Sequence, residues 1–187
     1  MVRIAIIIPY ASMASLAQVV FQEHTARMRL QRRDSTEYSL EIVVAATTQE
    51  LQIPDCDAMI VRGATYLDLC QNARSVPVIE LIINGTDIVN MLLQLRQKYG
   101  SVPAAILGTQ NMILGVEKLA RQLNVDVTSY CFPENSVSEI RKCVEQAARD
   151  GKKVIIGGGT GCRLAEEMGL PSMLISSGRE AFWNAIS

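Results

Sequence analysis

Two arginines stand where apolar runs end. Arg62 directly follows AMIV at 58–61, and Arg179 follows the run at 172–175 with Ser176, Ser177 and Gly178 between. A guanidinium so placed can take a carboxylate through two parallel N–H···O bonds. The pair therefore points to an acidic ligand; the competing role for Arg62 is a salt bridge between two lobes of the fold. A third feature is GGGTG at 157–161, which follows an apolar run and opens a helical pattern. Free amides there can hold an anion, or the segment is a tight turn with no ligand. It is not a Walker loop, since no lysine follows at GK[ST] spacing, and Cys162 after Gly161 breaks the dinucleotide fingerprint GxGxxG.

Acid–base chemistry finds little material. His24 is the one histidine and recurs with Met13, Leu16, Val20 and Met28 at helical spacing, so it faces the apolar side. That removes histidine triads and metal centres. Two-lobed racemases use one cysteine from each lobe. Here Cys70, Cys143 and Cys162 fall within helical patterns and read as buried, inert thiols. Cys131 follows a strand without a matching cysteine at a strand exit of the first half. Glu80 lies inside an apolar run, on the face of Val78 and Ile82, and either reaches a cleft or pairs with a neighbour. No catalytic set, metal site or cofactor motif emerges.

The elements that must position these residues form a regular series. Apolar runs at 4–8, 40–45, 58–61 and 77–83, then at 104–107, 126–130, 153–156 and 172–175, predict eight strands alternating with helices. Runs this short and continuous fit parallel sheets buried on both faces. Ser12 or Ser15 caps the first helix, whose end is crowded by Arg27, Arg29, Arg32 and Arg33, a solvated helix end favoured by the macrodipole. A short helical turn is expected at 47–51 and a helix at 66–73. In the second half, Thr86 or Asp87 caps a helix that Gly100 ends. An exit loop at 108–111 leads to a helix ending at Leu123. Ser136 with Glu139 reads as a capping box for a helix running to Asp150. The fold class is α/β: two doubly wound Rossmann-like lobes with parallel sheets and a ligand cleft between them. The first lobe covers 1–84 and the second 85–177, with helix 178–187 returning to the first.

Composition bounds the remaining classes. The 187 residues carry a net charge of −1 and 5% aromatics, which gives direct nucleic-acid contact neither an electrostatic nor a stacking basis. No run approaches the ~18 apolar residues of a membrane span, and the apolar start at 4–8 is too short for a signal peptide. Five scattered cysteines, never in a CxxC pair, fit a reduced, cytoplasmic setting.

Four segments together resemble a known family: VRGAT at 61–65, PVIELIINGTDI at 77–88, IIGGGTGCRLAEEMGLPSMLI at 155–175, and SSGREAFWNAI at 176–186. In order and spacing they are similar to the N-terminal receptor domain of the propionate-catabolism activators, a family of sigma-54-dependent transcriptional regulators. The resemblance spans the chain. It departs at Ala64, where the family more often has a second glycine, and at Thr86, where it often has an aromatic. It implies a two-lobed fold binding a small carboxylate, 2-methylcitrate in the founding members. It also implies a downstream AAA+ ATPase and a DNA-binding helix-turn-helix as partners, neither of them in this chain, which would then be an excised receptor domain.

A ligand-sensing regulatory domain is therefore the expected function, with a small racemase- or lyase-type enzyme acting on a carboxylic acid as the alternative and a dimerisation module with an empty cleft as a third. The ligand-binding residues are expected to be Ser12, Arg62, Gly63, Ala64, Thr65, Asn84, Thr109, Asn111, Gly158, Thr160, Ser176 and Arg179, each following a strand's C-terminal end. The apolar terminal segment at 181–186 should pack partly on a lobe, with the rest contacting the downstream domain or a second copy in a homodimer.

Overall fold

The computed structural model describes residues 1–31, 36–45, 48, 51–71 and 76–187. The strands are β1 (Val2–Ile8), β2 (Tyr38–Val44), β3 (Ala58–Val61) and β4 (Val78–Glu80), then β5 (Ala104–Gly108), β6 (Val127–Cys131), β7 (Val154–Gly157) and β8 (Ser172–Leu174). They form two four-stranded sheets of identical topology, β2-β1-β3-β4 and β6-β5-β7-β8. All pairings are parallel. The helices are α1 (Ala14–Leu30), α2 (Gly63–Gln71), α3 (Gly85–Tyr99), α4 (Gln110–Ile113), α5 (Val116–Gln122), α6 (Val137–Arg149), α7 (Gly159–Glu167) and α8 (Arg179–Ile186).

Two compact units result, one of residues Met1–Ile82 and Ser177–Ser187, the other of Ile83–Ser176. The helix after the fourth strand of each half thus belongs to the other unit: α3 follows β4 yet lies in the second, and α8 follows β8 yet lies in the first. Asn84, counted by sequence with the first lobe, falls in the second unit because it caps α3.

In the first unit, strand alternation sorts side chains onto two faces. Ile6, Ile8 and Ile60 join Met13, Ala17, Val20 and, from α8, Ala181 and Phe182. Ala5, Ile7, Met59 and Val61 turn the other way, onto Leu69 of α2. In the second unit Ala104, Ile106, Val154 and Ile156 meet Ile88, Leu92 and Leu95 of α3 and Val116 and Ala120 of α5. With apolar side chains directed to both faces, these strands read as unbroken apolar runs.

Several boundaries differ from the sequence reading. Neither Ser12 nor Ser15 caps α1: a 3-10 turn at Ala11–Met13 leads into the helix, and Met13 is its N-cap without a side-chain bond. Helix α2 starts at Gly63 rather than 66, so Gly63, Ala64 and Thr65 form a first helical turn. Gly63 has φ +61° there, a backbone that a Cβ would strain. Strand β4 stops at Glu80, short of 83, although Leu81 N–H still donates to the Val61 carbonyl at 2.7 Å. Asn84, not Thr86 or Asp87, caps α3. Gly115, at φ +81°, divides the helix ending at Leu123 into α4 and α5. Ser136 caps α6 through the Glu139 N–H, but the Glu139 carboxylate pairs with Lys142 instead of closing the box. Arg32, Arg33, most of the turn at 47–51 and the end of the helix at 66–73 lie outside the described residues.

Candidate ligand site

The strand registers bring most of the expected site residues to one edge of each sheet. In the first unit Ile7 pairs with Val61 and Val61 with Glu80, so the chain leaving β1, β3 and β4 does so along a common edge. Arg62 to Thr65 sit there. Arg62 is 4% exposed, and its Nη1 lies 3.4 Å from Met13 Sδ. Thr65 is buried in the first turn of α2. Ser12, in the turn before α1, is exposed.

In the second unit, Ile106 pairs with Ile156 and Gly157 with Leu174, which gathers the exits of β5, β7 and β8. Thr109 is buried, and its hydroxyl donates to Asn111 Oδ1 at 2.7 Å. Gly108 makes this geometry possible: a Cβ there would stand 2.7 Å from Ile113 Cγ2 and 3.0 Å from Met112 Cβ. Gly158 is the N-cap of α7 and Thr160 lies in its first turn; no side chain caps this helix. Its first N–H groups therefore have no intrahelical acceptor. Ser176 is exposed. Asn84 is committed to structure: its Oδ1 accepts from Asp87 N–H at 2.9 Å while Asp87 Oδ2 accepts from Asn84 N–H at 3.1 Å.

Arg179 turns onto the flank of α1, where its guanidinium pairs with Glu23 and lies 5.9 Å from the Trp183 ring centroid. On the same flank His24 meets Trp183 edge-on at 5.0 Å, and its Nε2 is 3.2 Å from Ser187 Oγ. Burial, and secondarily the nearby Arg27 charge, holds the His24 imidazole below its ordinary value.

Of the three thiols expected to be buried, Cys162 is buried, Cys143 is half-buried and Cys70, near the end of α2, is exposed, so burial does not hold for Cys70. Burial pushes Cys162 up, and its Sγ is 3.2 Å from the Met173 carbonyl. Burial also raises Cys143. A thiol held in its neutral form is a poor base or nucleophile. Among the described residues no cluster of metal-ligating side chains occurs, and no helix is long and apolar enough to cross a membrane.

Sequence reasoning missed Ser177. It is 4% exposed, and its hydroxyl has no hydrogen-bond partner among the described residues. The signal was present: alternation continues past β8, with Ile175 buried, Ser176 exposed and Ser177 buried. Met13, read only as a core residue, is also what Arg62 touches.

Two parallel α/β units of identical strand order, with polar and glycine-rich turns at the strand exits, define a two-lobed Rossmann-like α/β protein. The chain belongs to the propionate catabolism activator family, whose model matches residues 34–187. It is accordingly the sensory domain of a transcriptional activator, and the family is a regulatory one rather than an enzymatic one. Its fold is similar to that of an NtrC family transcriptional regulator from Clostridium acetobutylicum, with a TM-score of 0.75 and 21% identity over 99% of this chain and 92% of that one. More distant is an extracellular ligand-binding receptor from Verminephrobacter eiseniae, with a TM-score of 0.47 and 12% identity over 100% of this chain and 67% of that one. A putative Asp/Glu racemase from Yersinia pestis matches with a TM-score of 0.38 and 12% identity over 100% and 98% of the two chains, too low to bear on activity. No curated protein matches the sequence.

Proposed function

We propose that this domain senses a small acidic metabolite, a carboxylate like 2-methylcitrate, bound by the residues at the strand exits. Occupancy would change how the domain engages a downstream AAA+ ATPase, and through it a DNA-binding helix-turn-helix. The observation that carries the reading is Arg62: a guanidinium only 4% exposed, directly after β3, at the sheet edge where α/β proteins take their ligands. A fixed guanidinium offers a carboxylate two parallel donors and a positive charge. The groups at the exits of β5 and β7, namely the Asn111 side chain that Thr109 orients and the uncapped first turn of α7 from Gly158 to Thr160, suit the ligand's remaining oxygens. Gly63 and Ala64 allow close approach of the backbone beside Arg62, and Ser12 completes the proposed set; Asn84, committed to its cap, Arg179, paired with Glu23, and the exposed Ser176 stand outside it.

A thermal-shift series of di- and tricarboxylates, with 2-methylcitrate and citrate included, tests this directly. A ligand present at about 100 times its dissociation constant adds about 2.7 kcal/mol to stability. A clear rise in melting temperature with one or more of these acids, and none with their neutral esters, is the expected result. No rise with any acid at millimolar concentration overturns the reading.

A further inference from the structure

Ser177 belongs to none of the roles assigned so far. Its hydroxyl is a strong donor and acceptor, yet it is buried and has no hydrogen-bond partner among the described residues. Buried polar groups in native proteins are satisfied in the great majority of cases, so one left without a partner asks for a missing ligand or water. What surrounds Ser177 in the first unit points to the former.

The residue lies directly before Gly178, the N-cap of α8, which brings no side chain to that role. The first intrahelical bond runs from Phe182 N–H to the Gly178 carbonyl. The N–H groups of Arg179, Glu180 and Ala181 therefore have no intrahelical acceptor, and the helix dipole favours negative charge there. The direction of α8 fixes which edge of the sheet this end approaches. Ile186 and Ser187, at its far end, line a cavity of about 90 Å³ together with Ile4 and Tyr38, which lie near the starts of β1 and β2. Its near end must then lie toward the strand exits. Consistent with this, Ala181 and Phe182 share a cluster with Ile8, Met13 and Leu81. Met13 in turn is the residue that Arg62 Nη1 touches at 3.4 Å.

We propose that Ser177 is a specificity-determining ligand residue: its Oγ–H donates to a carboxylate oxygen of the bound acid, at the open N-terminus of α8 and on the same sheet edge as Arg62. The inference rests on the acidic-ligand reading above and deepens it, by assigning one carboxylate to the first unit. Ser177, rather than its exposed neighbour Ser176, reads that group. Because α8 itself supplies the amides, the same contact ties ligand occupancy to the helix that ends the chain.

The test is calorimetric titration of 2-methylcitrate into the wild-type chain and into Ser177→Ala, Ser177→Cys and Ser176→Ala, with ligand-free melting temperatures measured in parallel. Loss of one hydroxyl donor should weaken binding about tenfold in Ser177→Ala, the scale of one hydrogen bond. Ser177→Cys keeps the volume but has a weak donor and should fall in the same direction. Ser176→Ala should bind like wild type. The ligand-free melting temperature of Ser177→Ala should be unchanged or higher, because the variant removes a buried group that has no partner. A residue with a merely structural hydroxyl would instead lower it. Binding by Ser177→Ala and Ser177→Cys within twofold of wild type overturns the assignment of Ser177 and leaves the acidic-ligand reading standing. Failure of wild type itself to bind overturns both.

Discussion

Helices α3 and α8 occupy equivalent places in the two halves, yet their first turns are built on different principles. Each follows the fourth strand of its half and belongs to the other unit. At α3 the cap is made from within: Asn84 and Asp87 bond each other's backbone N–H, and Asp87 is buried in doing so. At α8 the N-cap is a glycine, no side chain bonds the first turn, and the residue before it holds a buried hydroxyl with no partner among the described residues. Both helices are anchored by apolar faces of similar quality, with Leu92 and Leu95 of α3 and Phe182 of α8 fully buried. The difference is confined to the N-terminus. A self-satisfied cap makes α3 a structural join, whereas the first turn of α8 has no side-chain cap.

Truncating the anchors should produce the largest effects and test whether the two helices are equally integral. Phe182→Ala is expected to cost ~3–5 kcal/mol of stability, and Leu92→Ala ~2–5 kcal/mol, from lost burial and the cavity left behind. Urea unfolding monitored by circular dichroism measures both. A cost below about 1 kcal/mol for Phe182→Ala would mean that α8 is only loosely attached to the first unit, and the comparison with α3 would collapse.

The second effect separates the two sheet edges. Arg62→Ala should weaken an acidic ligand by ~1.5–3 kcal/mol, the range for a hydrogen bond to a charged group. Thr109→Val, which removes a neutral hydroxyl from the exit of β5, should cost nearer ~1 kcal/mol. Titration of both variants with 2-methylcitrate gives the ratio. Equal losses would show that the charge at the first edge contributes nothing beyond an ordinary donor.

Much of this architecture was legible in the sequence because it is written in local pattern. Strands buried on both faces, such as Ile4–Ile8 within β1 and Ala58–Val61, announce themselves as short unbroken apolar runs. Helix starts were read less well, and for a common reason. At Asn84, Thr86 and Asp87 several capping residues stand together, and only the backbone angles choose Asn84 among them. A helix start expected at 66 misses Gly63, whose left-handed conformation opens α2 directly after Arg62. The burial of Arg62 follows from its place after a buried strand, but its contact with Met13 joins residues far apart in sequence and no periodicity encodes it. The position of Arg179 after β8 suggests a ligand contact, while the fold brings Glu23 of α1 within reach of its guanidinium.

A smaller effect sharpens the cap comparison. Asn84→Ala removes one half of the reciprocal pair and leaves Asp87 buried without the Asn84 side chain, and it should cost about 1 kcal/mol. No acid that binds the wild-type chain should bind less than about half as tightly to a structural cap variant of this kind. Thermal melts with and without 2-methylcitrate measure both quantities at once. A loss of affinity much larger than the loss of stability would move Asn84 from the structural to the ligand-binding side and erase the contrast between α3 and α8.

The smallest effect concerns how α8 is held along its flank, and there pH is the probe. His24 of α1 faces Trp183 and Ser187 of α8, with Arg27 and the Arg179–Glu23 pair beside it and Tyr38 of β2 lining the same cavity. Its imidazole is held below the ordinary 6.5, first by burial and then by the Arg27 charge. A base whose value is lower in the docked state than in the released state binds fewer protons when docked. Docking of α8 is then fully favourable above pH 6.5 and weakens as pH falls through 6.5 toward the lowered native value. One tryptophan and one histidine in the chain make the assignment clean. Trp183 emission followed from about pH 7.5 to 5.5 should change with a single proton-linked step. His24→Gln, which keeps a polar group facing Ser187 but does not titrate in that range, should abolish the step. A step that survives in His24→Gln would mean that another group on this flank, Glu23 first among them, governs how α8 is held.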